Sequence, residues 1–195
     1  NLPLLARVMA EPEFAQRVPG LHLEGPFISP EPGAVGAHCP AAVRDPAIIA
    51  RGAEAFGRQC IVLGMDVKHV GVRPGIPSGY EVVIDGGRTA MGIDALAWAQ
   101  RAQELGAGEI CLNSIDADGT CEGYELNLTA LVSGHVTIPV IASGGAGKPV
   151  HLRDVLTEGR ADAALIASMV HYGNFAISEI KSYLHGCGIR VRKTW

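Results

Sequence analysis

Short apolar segments that alternate with helix-forming segments constrain this chain more than any other feature. Each apolar run has the length of a strand and is followed by a loop; the runs cover residues 60–65, 109–115, 138–142 and 163–167. The helical patterns cover about residues 45–56, 93–105, 124–133, 150–157 and 178–185. Continuous apolar strands of this kind are typical of parallel sheets with right-handed crossovers. The sequence therefore predicts an α/β fold built on a parallel sheet.

A different composition precedes residue 41. Residues 3–17 predict a helix, residues 20–27 predict a strand, and residues 28–45 form a Pro/Gly-rich junction. We therefore expect two parts, a helix–strand segment over residues 1–40 and the strand–helix repeat over residues 41–195.

Charge and cysteine usage argue against several classes of protein. The net charge is −4 and both signs are scattered, which leaves no basic surface for nucleic acid. The longest apolar stretches have only the length of a strand, so no membrane span is expected. The five cysteines form no C-x-x-C pair. This pattern indicates free thiols in a reducing cytoplasm and fits neither a zinc ribbon nor a disulfide scaffold.

A glycine-rich turn follows the third apolar run. Ser143-Gly144-Gly145-Ala146-Gly147 separates that run from a predicted helix. Glycines allow backbone N–H groups to approach a phosphate, and the N-terminus of a helix favours negative charge. Ala167 and Ser168 end the next run, and two such strand ends are the usual place for phosphate on (β/α)8 barrels. A tight turn without a ligand is the alternative, but the second strand end favours phosphate.

Aspartates follow the first two apolar runs. Asp66 ends the first, where a poorly solvated carboxylate is suited to proton transfer, although a helix cap or an ion pair with Lys68 is an equal alternative. Asp116 and Asp118 follow the second run. Because Asp-x-Asp-Gly is also an ordinary turn, we expect one of these two to be structural. The other ligands of a calcium loop are not found at the required spacing, so calcium is not expected.

A series of motifs in the second part resembles one enzyme family. In order they are Asp45-Pro46-Ala47-Ile48-Ile49, Met65-Asp66-Val67-Lys68, Gly86-Gly87-Arg88, Ser114-Ile115-Asp116-Ala117-Asp118-Gly119-Thr120, Ile141-Ala142-Ser143-Gly144-Gly145-Ala146-Gly147 and Gly188-Ile189-Arg190-Val191-Arg192. Together they resemble the cyclase subunit of imidazole glycerol phosphate synthase over residues 41–192. The resemblance implies the C-terminal half of a (β/α)8 barrel, here with an extra N-terminal helix and strand.

The resemblance also implies an activity. Cyclases of this family take ammonia from a glutaminase subunit and combine it with a phosphoribulosyl formimino nucleotide that carries two phosphates. They release imidazole glycerol phosphate for histidine biosynthesis and an aminoimidazole carboxamide nucleotide for purine synthesis. The resemblance implies no metal and no organic cofactor.

The resemblance gives individual residues a role. Asp66 is expected to be the general base, and Asn113 and Ser114 to line the pocket beside it. Glu109 is expected to belong to a ring of charged residues where ammonia enters the barrel. The expected phosphate-binding residues are Asp118, Gly119, Gly144, Gly145, Ala167 and Ser168.

Residues 14–40 carry a second, shorter resemblance. Residues 20–29 and the motif Gly36-Ala37-His38 are similar to N-acetylglucosamine-6-phosphate deacetylase. In that family Glu24 would bind the catalytic metal and His38 would contact the substrate. The downstream histidine ligands of that family are not found in this sequence, so Glu24 alone is a weak metal ligand.

Three interpretations follow: a cyclase subunit, a non-catalytic phosphate-binding half-barrel, and a remnant of a metal-dependent deacetylase. The motifs of the cyclase's first four strands, with its second catalytic aspartate, are not found before residue 41. We therefore expect the chain to bind phosphorylated ligands but to turn over poorly. Five parallel strands cannot close an eight-stranded barrel, so we also expect an open sheet, or edges that pair with a second copy.

Overall fold

The predicted strands form one sheet, to which a hairpin adds two more. The computed structural model describes the backbone of residues 21–24 and residues 46–192; the helix predicted at residues 3–17 lies outside this part. Within the described residues the sheet has seven strands. They are β1 (Leu21–Glu24), β2 (Ile61–His69), β3 (Tyr80–Ile84), β4 (Thr89–Asp94), β5 (Glu109–Ser114), β6 (Val140–Ser143) and β7 (Ala163–Ala164).

Helices follow most of these strands in the chain. They are α1 (Ala47–Phe56), α2 (Ala95–Leu105), α3 (Leu126–Ser133), α4 (Pro149–Thr157), α5 (Ser168–His171) and α6 (Ile177–Gly186). A 3-10 turn, Arg58–Cys60, leads into β2. In the part of the chain that the structure describes, no helix has the length and apolar character to cross a membrane.

Five of the strands run parallel, in the order β1-β2-β5-β6-β7. β1 and β3 share one edge of β2, since β1 pairs with Ile61 to Gly64 and β3 pairs antiparallel with Val67 to His69. Among the described strands β1 pairs only with β2, and β7 only with β6. The predicted α/β class is therefore confirmed, and the sheet is open, as expected for part of a barrel.

The two faces of the sheet differ in what covers them. Burial alternates along β2, β5 and β6, as it does when only one face is fully packed. The packed face and the helices over it form the main core, which includes Ile49, Ile61, Leu63, Met65, Trp98, Ala99, Ile110, Leu112, Leu128 and Val132. Each fully buried aliphatic side chain contributes about 1.5–3 kcal/mol. The opposite face, which carries Asp66 and Asn113, is only half-buried.

Two strand ends differ from the prediction. The end predicted at Asp66 is wrong, because β2 continues to His69, where β3 supplies antiparallel hydrogen bonds. The last predicted strand, residues 163–167, is paired only over Ala163–Ala164. The backbone N–H of Leu165 still donates to Ala142, and the chain then turns into the short helix α5, which the sequence did not indicate.

The hairpin of β3 and β4 is fastened by a buried carboxylate. Glu81 is 2% exposed, accepts a hydrogen bond from the Gly92 N–H at 2.7 Å and pairs with Arg73 at 2.5 Å. A buried charge is stable only when it is paired and hydrogen-bonded. These contacts therefore hold the loop after β2 against β4.

Asp94 joins the same loop to the start of α2. Its carboxylate caps the helix by accepting the N–H groups of Leu96 at 3.0 Å and Ala97 at 3.1 Å, and it accepts the Ser78 N–H at 2.8 Å. Burial acts to raise the pKa of Asp94, but the hydrogen bonds from Ser78, Ala97 and Leu96 outweigh it and lower the pKa below its usual value.

Replacing Asp94 with Ala should lower the free energy of unfolding at pH 7 by about 1–2 kcal/mol, the usual loss for a helix cap. Because its pKa is lower in the folded state, Asp94 stabilises the fold fully above the unfolded-state pKa of about 3.9. That contribution is lost as the pH falls through the folded-state pKa. Urea unfolding at pH 7 and at acid pH measures both effects. Glu104→Ala, an exposed change in the same helix, should alter stability little at either pH.

Candidate functional site

The candidate base and its neighbour lie opposite each other on adjacent strands. Asp66 in β2 and Asn113 in β5 are register partners. The Asn113 side-chain amide donates to Asp66 Oδ1 at 3.0 Å. Both side chains lie on the half-buried face of the sheet. A carboxylate held by an amide in this way is oriented and accessible, as a general base requires.

Glu109 and Cys111 continue this face toward the other end of β5. They alternate with buried residues in the same way as Asn113, so their side chains share one side of the sheet. Burial first, and then the nearby Asp66 carboxylate, raises the pKa of the Cys111 thiol. Asn113 lies four positions after Glu109 along the strand, which corresponds to about 13 Å.

An open pocket lies beside this pair, at the carboxyl ends of β5, β6 and β7. Its volume is about 160 Å³, several times the ~30 Å³ share of one water molecule in the liquid. The lining residues come from the end of β6, from the three loops that follow those strands and from the start of α5: Asp118, Gly119, Cys121, Ser143, Gly144, Gly145, Ala146, Leu165, Ala167 and Ser168. The structure thus places six of the predicted phosphate-binding residues around one pocket.

Asn113 links Asp66 to the pocket. A Cβ atom added to Gly144 would lie 2.9 Å from the Asn113 Oδ1 atom and 2.8 Å from the Ser114 carbonyl oxygen. The glycine-rich turn at residues 143–147, called the glycine loop below, therefore packs directly against the end of β5. One amide side chain touches both the candidate base and the wall of the pocket.

The loop after β5 and the glycine loop meet backbone to backbone. The N–H of Gly123 donates to the Gly145 carbonyl at 2.8 Å. A Cβ on Gly145 would overlap the Gly123 carbonyl oxygen, and one on Gly147 would overlap the carbonyl oxygen of Cys121. Glycine is required at both positions because no side chain fits between the two loops.

The two aspartates after β5 have different surroundings. Asp116 Oδ2 accepts the backbone N–H of His69 at 2.7 Å, which fastens the loop to the end of β2. Asp118 lines the pocket instead. The geometry therefore makes Asp116 the structural member of the pair, a choice that the sequence left open.

Ser114 has a structural contact. Its side chain is buried on the opposite face from Asn113, and its hydroxyl accepts the Ala117 N–H at 3.3 Å. It stabilises the turn that carries Asp118 and reaches the pocket side only through its carbonyl group, next to Gly144.

The residues suggested for a metal lie mostly outside the described part. His38 is not described, and for Glu24 the structure gives only the backbone, which pairs with Gly64 in β2. Among the described residues no three His, Cys, Asp or Glu side chains lie together as a group that could hold a metal ion.

Comparison with known proteins identifies the family. The sequence model of the family described as "histidine biosynthesis protein" matches residues 38–176. The chain belongs to this family. The family's match includes β2, β5, β6 and β7, and so every loop that lines the pocket. The resemblance predicted from the motifs of residues 41–192 is confirmed.

Individual relatives agree on one subunit. The chain is 70% identical over 155 residues to the imidazole glycerol phosphate synthase subunit HisF of Desulforapulum autotrophicum, which covers 80% of the chain and 60% of the relative. The HisF subunits of Syntrophobacter fumaroxidans and Solidesulfovibrio magneticus are 72% and 62% identical, with the same coverage. The chain thus spans about 60% of the length of the curated relatives that it matches.

Several pocket residues were not predicted. Cys121, Ala146 and Leu165 line the pocket, and the thiol of Cys121 lies 3.9 Å from the Ser168 hydroxyl. Ser143 is also a lining residue, and its register partner is Asn113. The sequence did carry a signal for Ser143. It lies at the end of an apolar run, which is the position for which Asp66 and Ser168 were predicted to be site residues. For Cys121 and Leu165 no local signal exists, because the contact joins loops distant in sequence.

Replacing Gly145 with Ala should destabilise the protein by at least about 2 kcal/mol and separate the two loops. Part of this cost is the left-handed backbone, at φ +100, which costs other residues about 1–2 kcal/mol. The rest is the overlap with the Gly123 carbonyl. Urea unfolding measures the total.

Gly173→Ala is the matched control for that variant. Its φ is also positive, at +70, but nothing lies within 4 Å of an added Cβ. It should carry the backbone cost alone. Equal destabilisation by the two substitutions would show that the loops are not in close contact at Gly145.

Proposed function

We propose that this chain supplies the general base and one phosphate site of an imidazole glycerol phosphate synthase cyclase subunit. The observation that carries the proposal is the contact between Asp66, Asn113 and the glycine loop. A base and a phosphate pocket that touch through one amide can act on a single small substrate. The identity of 59–72% to HisF subunits supports the same conclusion.

The proposed substrate is the phosphoribulosyl formimino nucleotide. One of its two phosphates binds in the pocket between Asp118, Gly119, Gly144, Gly145 and the Ala167-Ser168 turn. Asp66 accepts a proton during ring formation, and Asn113 holds its carboxylate in place. The products are imidazole glycerol phosphate, for histidine biosynthesis, and an aminoimidazole carboxamide nucleotide. The second phosphate site and the general acid belong to the remainder of such a subunit, so the chain alone binds phosphate but turns over poorly.

The proposed partner is a glutaminase subunit that delivers ammonia. Glu109 supports this proposal because it lies at the amino end of β5, on the same face as Asn113. Ammonia that enters at Glu109 would pass Cys111 and reach Asp66 after about 13 Å of strand. The half-exposed face of the sheet is then the wall of this path.

We also propose a cytoplasmic location for the protein and a domain boundary near residue 40. Among the described residues, Cys111, Cys121 and Cys187 are free thiols, which supports a reducing, cytoplasmic location. A boundary near residue 40 is supported by the family match, which begins at residue 38. Residues 1–40 would then be a separate segment.

Asp66→Asn should lower turnover by about 10²–10⁴-fold, which is the rate enhancement that a general base usually contributes. It should leave the dissociation constant for inorganic phosphate unchanged, because Asp66 does not line the pocket. Turnover is measured with the nucleotide substrate and ammonium, at high protein concentration because the rate is low. A rate in the unaltered chain equal to that of full-length relatives would contradict the proposal that other groups are needed.

Ser168→Asp should, unlike Asp66→Asn, abolish phosphate binding as well as turnover. A carboxylate at position 168 adds a second negative side chain to the pocket beside Asp118 and repels phosphate, so binding measured by calorimetry should be lost together with turnover. Ser178→Asp adds the same charge at an exposed site on α6 and should change neither. Normal phosphate binding by Ser168→Asp would rule out this pocket as the phosphate site.

We also propose that a second copy of the chain covers the half-exposed face of the sheet. Val62, Gly64, Asp66 and Cys111 on that face are only half-buried, while their neighbours along the strands are buried. Sheets with an uncovered face and open edges tend to pair with another chain.

Sedimentation tests this proposal. A dimer should dominate at micromolar concentration, and Val62→Lys should shift the population toward monomer by placing an unpaired charge in the interface. The exposed substitution Val72→Lys, on the loop after β2, should leave the dimer intact. A monomer for the unaltered chain would contradict self-association.

A further inference from the structure

A histidine outside the pocket lies beside both of the loops that form it. His151 lies in the first turn of α4 and is half-buried. Its Nδ1 atom accepts the backbone N–H of Gly147 at 3.2 Å. The Cγ and Cδ2 atoms of its ring lie 3.8 and 3.9 Å from the position of a Cβ on Gly123. One imidazole ring therefore holds the glycine loop through a hydrogen bond and lies next to Gly123 in the loop after β5.

These loops depend on each other for their shape. The hydrogen bond from Gly123 to Gly145 and the close approach of Gly147 to Cys121 leave no space between them. The glycine loop has no side chains at Gly145 and Gly147 that could fasten it. The Gly147 N–H is held instead by the Nδ1 atom of His151, which accepts it at 3.2 Å.

We propose that His151 is a positioning residue for the phosphate pocket. By holding the Gly147 N–H it keeps the glycine loop against residues 121–123, without itself contacting the phosphate. The hydrogen bond requires an imidazole whose Nδ1 carries no proton, so the ring bears its hydrogen on Nε2. This inference rests on the proposed phosphate binding, and it adds a residue that the resemblance did not assign.

Two alternatives make different predictions for substitutions at this position. If His151 acts only by filling space, an apolar residue of similar size would replace it. If it acts by accepting the Gly147 N–H, Asn would replace it, because the Asn Oδ1 atom can take the place of Nδ1 as an acceptor. His151→Leu and His151→Asn therefore separate packing from hydrogen bonding.

Calorimetric titration with inorganic phosphate tests the proposal on the whole chain. His151→Ala and His151→Leu should weaken binding about five- to tenfold, the size expected for the loss of one hydrogen bond. His151→Asn should bind within about twofold of the unaltered chain. His135→Ala is the control, since its Nδ1 also bonds a backbone group, here by donating to the Leu131 carbonyl at 2.8 Å, but outside the residues that line the pocket. It should bind phosphate normally.

Amide hydrogen exchange decides the outcome independently of the ligand. The N–H groups of Gly147 and Gly123 should exchange faster in the Ala and Leu variants and regain protection in His151→Asn. Unchanged phosphate binding in His151→Ala, or rescue by Leu but not by Asn, would overturn the positioning role. If His151→Ala does not fold, the comparison of Leu with Asn decides between the two alternatives. Absence of phosphate binding by the unaltered chain would refute the proposed phosphate site, while the exchange rates would still report whether His151 holds Gly147.

Discussion

The candidate site depends on the parallel register between β2 and β5. That register pairs Asp66 with Asn113 and at the same time places Met65 opposite Leu112. A shift of one residue would turn Asp66 toward the helices and Met65 toward the open face, because side chains alternate along a strand. Each buried aliphatic side chain that became exposed would cost about 1.5–3 kcal/mol. The apolar face therefore determines the geometry of the polar one.

The same argument explains why the sequence predicted much of the fold. The apolar runs at residues 60–65 and 109–115 are rich in β-branched and aliphatic residues, and strands lie at both. Prediction was weaker where pairing depended on a distant partner. β4 has a glycine and few strong strand formers, and it is held by β3 and by the buried Glu81. The continuation of β2 to His69 likewise depends on β3, and nothing in the sequence near Asp66 shows that partner.

The candidate site was predictable to a similar degree and for related reasons. Strand ends in a parallel sheet meet at one edge, so residues that follow apolar runs could be placed near each other before the structure was known. The resemblance assigned Asp118 to the phosphate site, but the residue pattern alone did not separate it from Asp116, because the difference depends on the backbone N–H of His69, 47 residues from Asp116 in the chain. The role of Gly145 could be predicted only in part. A glycine-rich turn was evident, but the opposing carbonyl of Gly123 belongs to another loop.

In the part of the chain that the structure describes, the sheet has one half-buried face, and its exposure affects chemistry as well as the proposed assembly. Asp66 is half-buried, so water reaches its carboxylate and weakens the electrostatic interactions around it. Covering the face, whether with further strands or with a second chain, would remove that water and strengthen the contact with Asn113. Closing an active site has this effect in general, and it also protects reactive intermediates from hydrolysis. The glycine loop and its hydrogen bonds do not need such a cover, because the backbone contacts that shape the pocket come from within the described sheet and its loops. If the proposed sites are right, phosphate binding needs only this half of the fold, and efficient proton transfer needs the covered face.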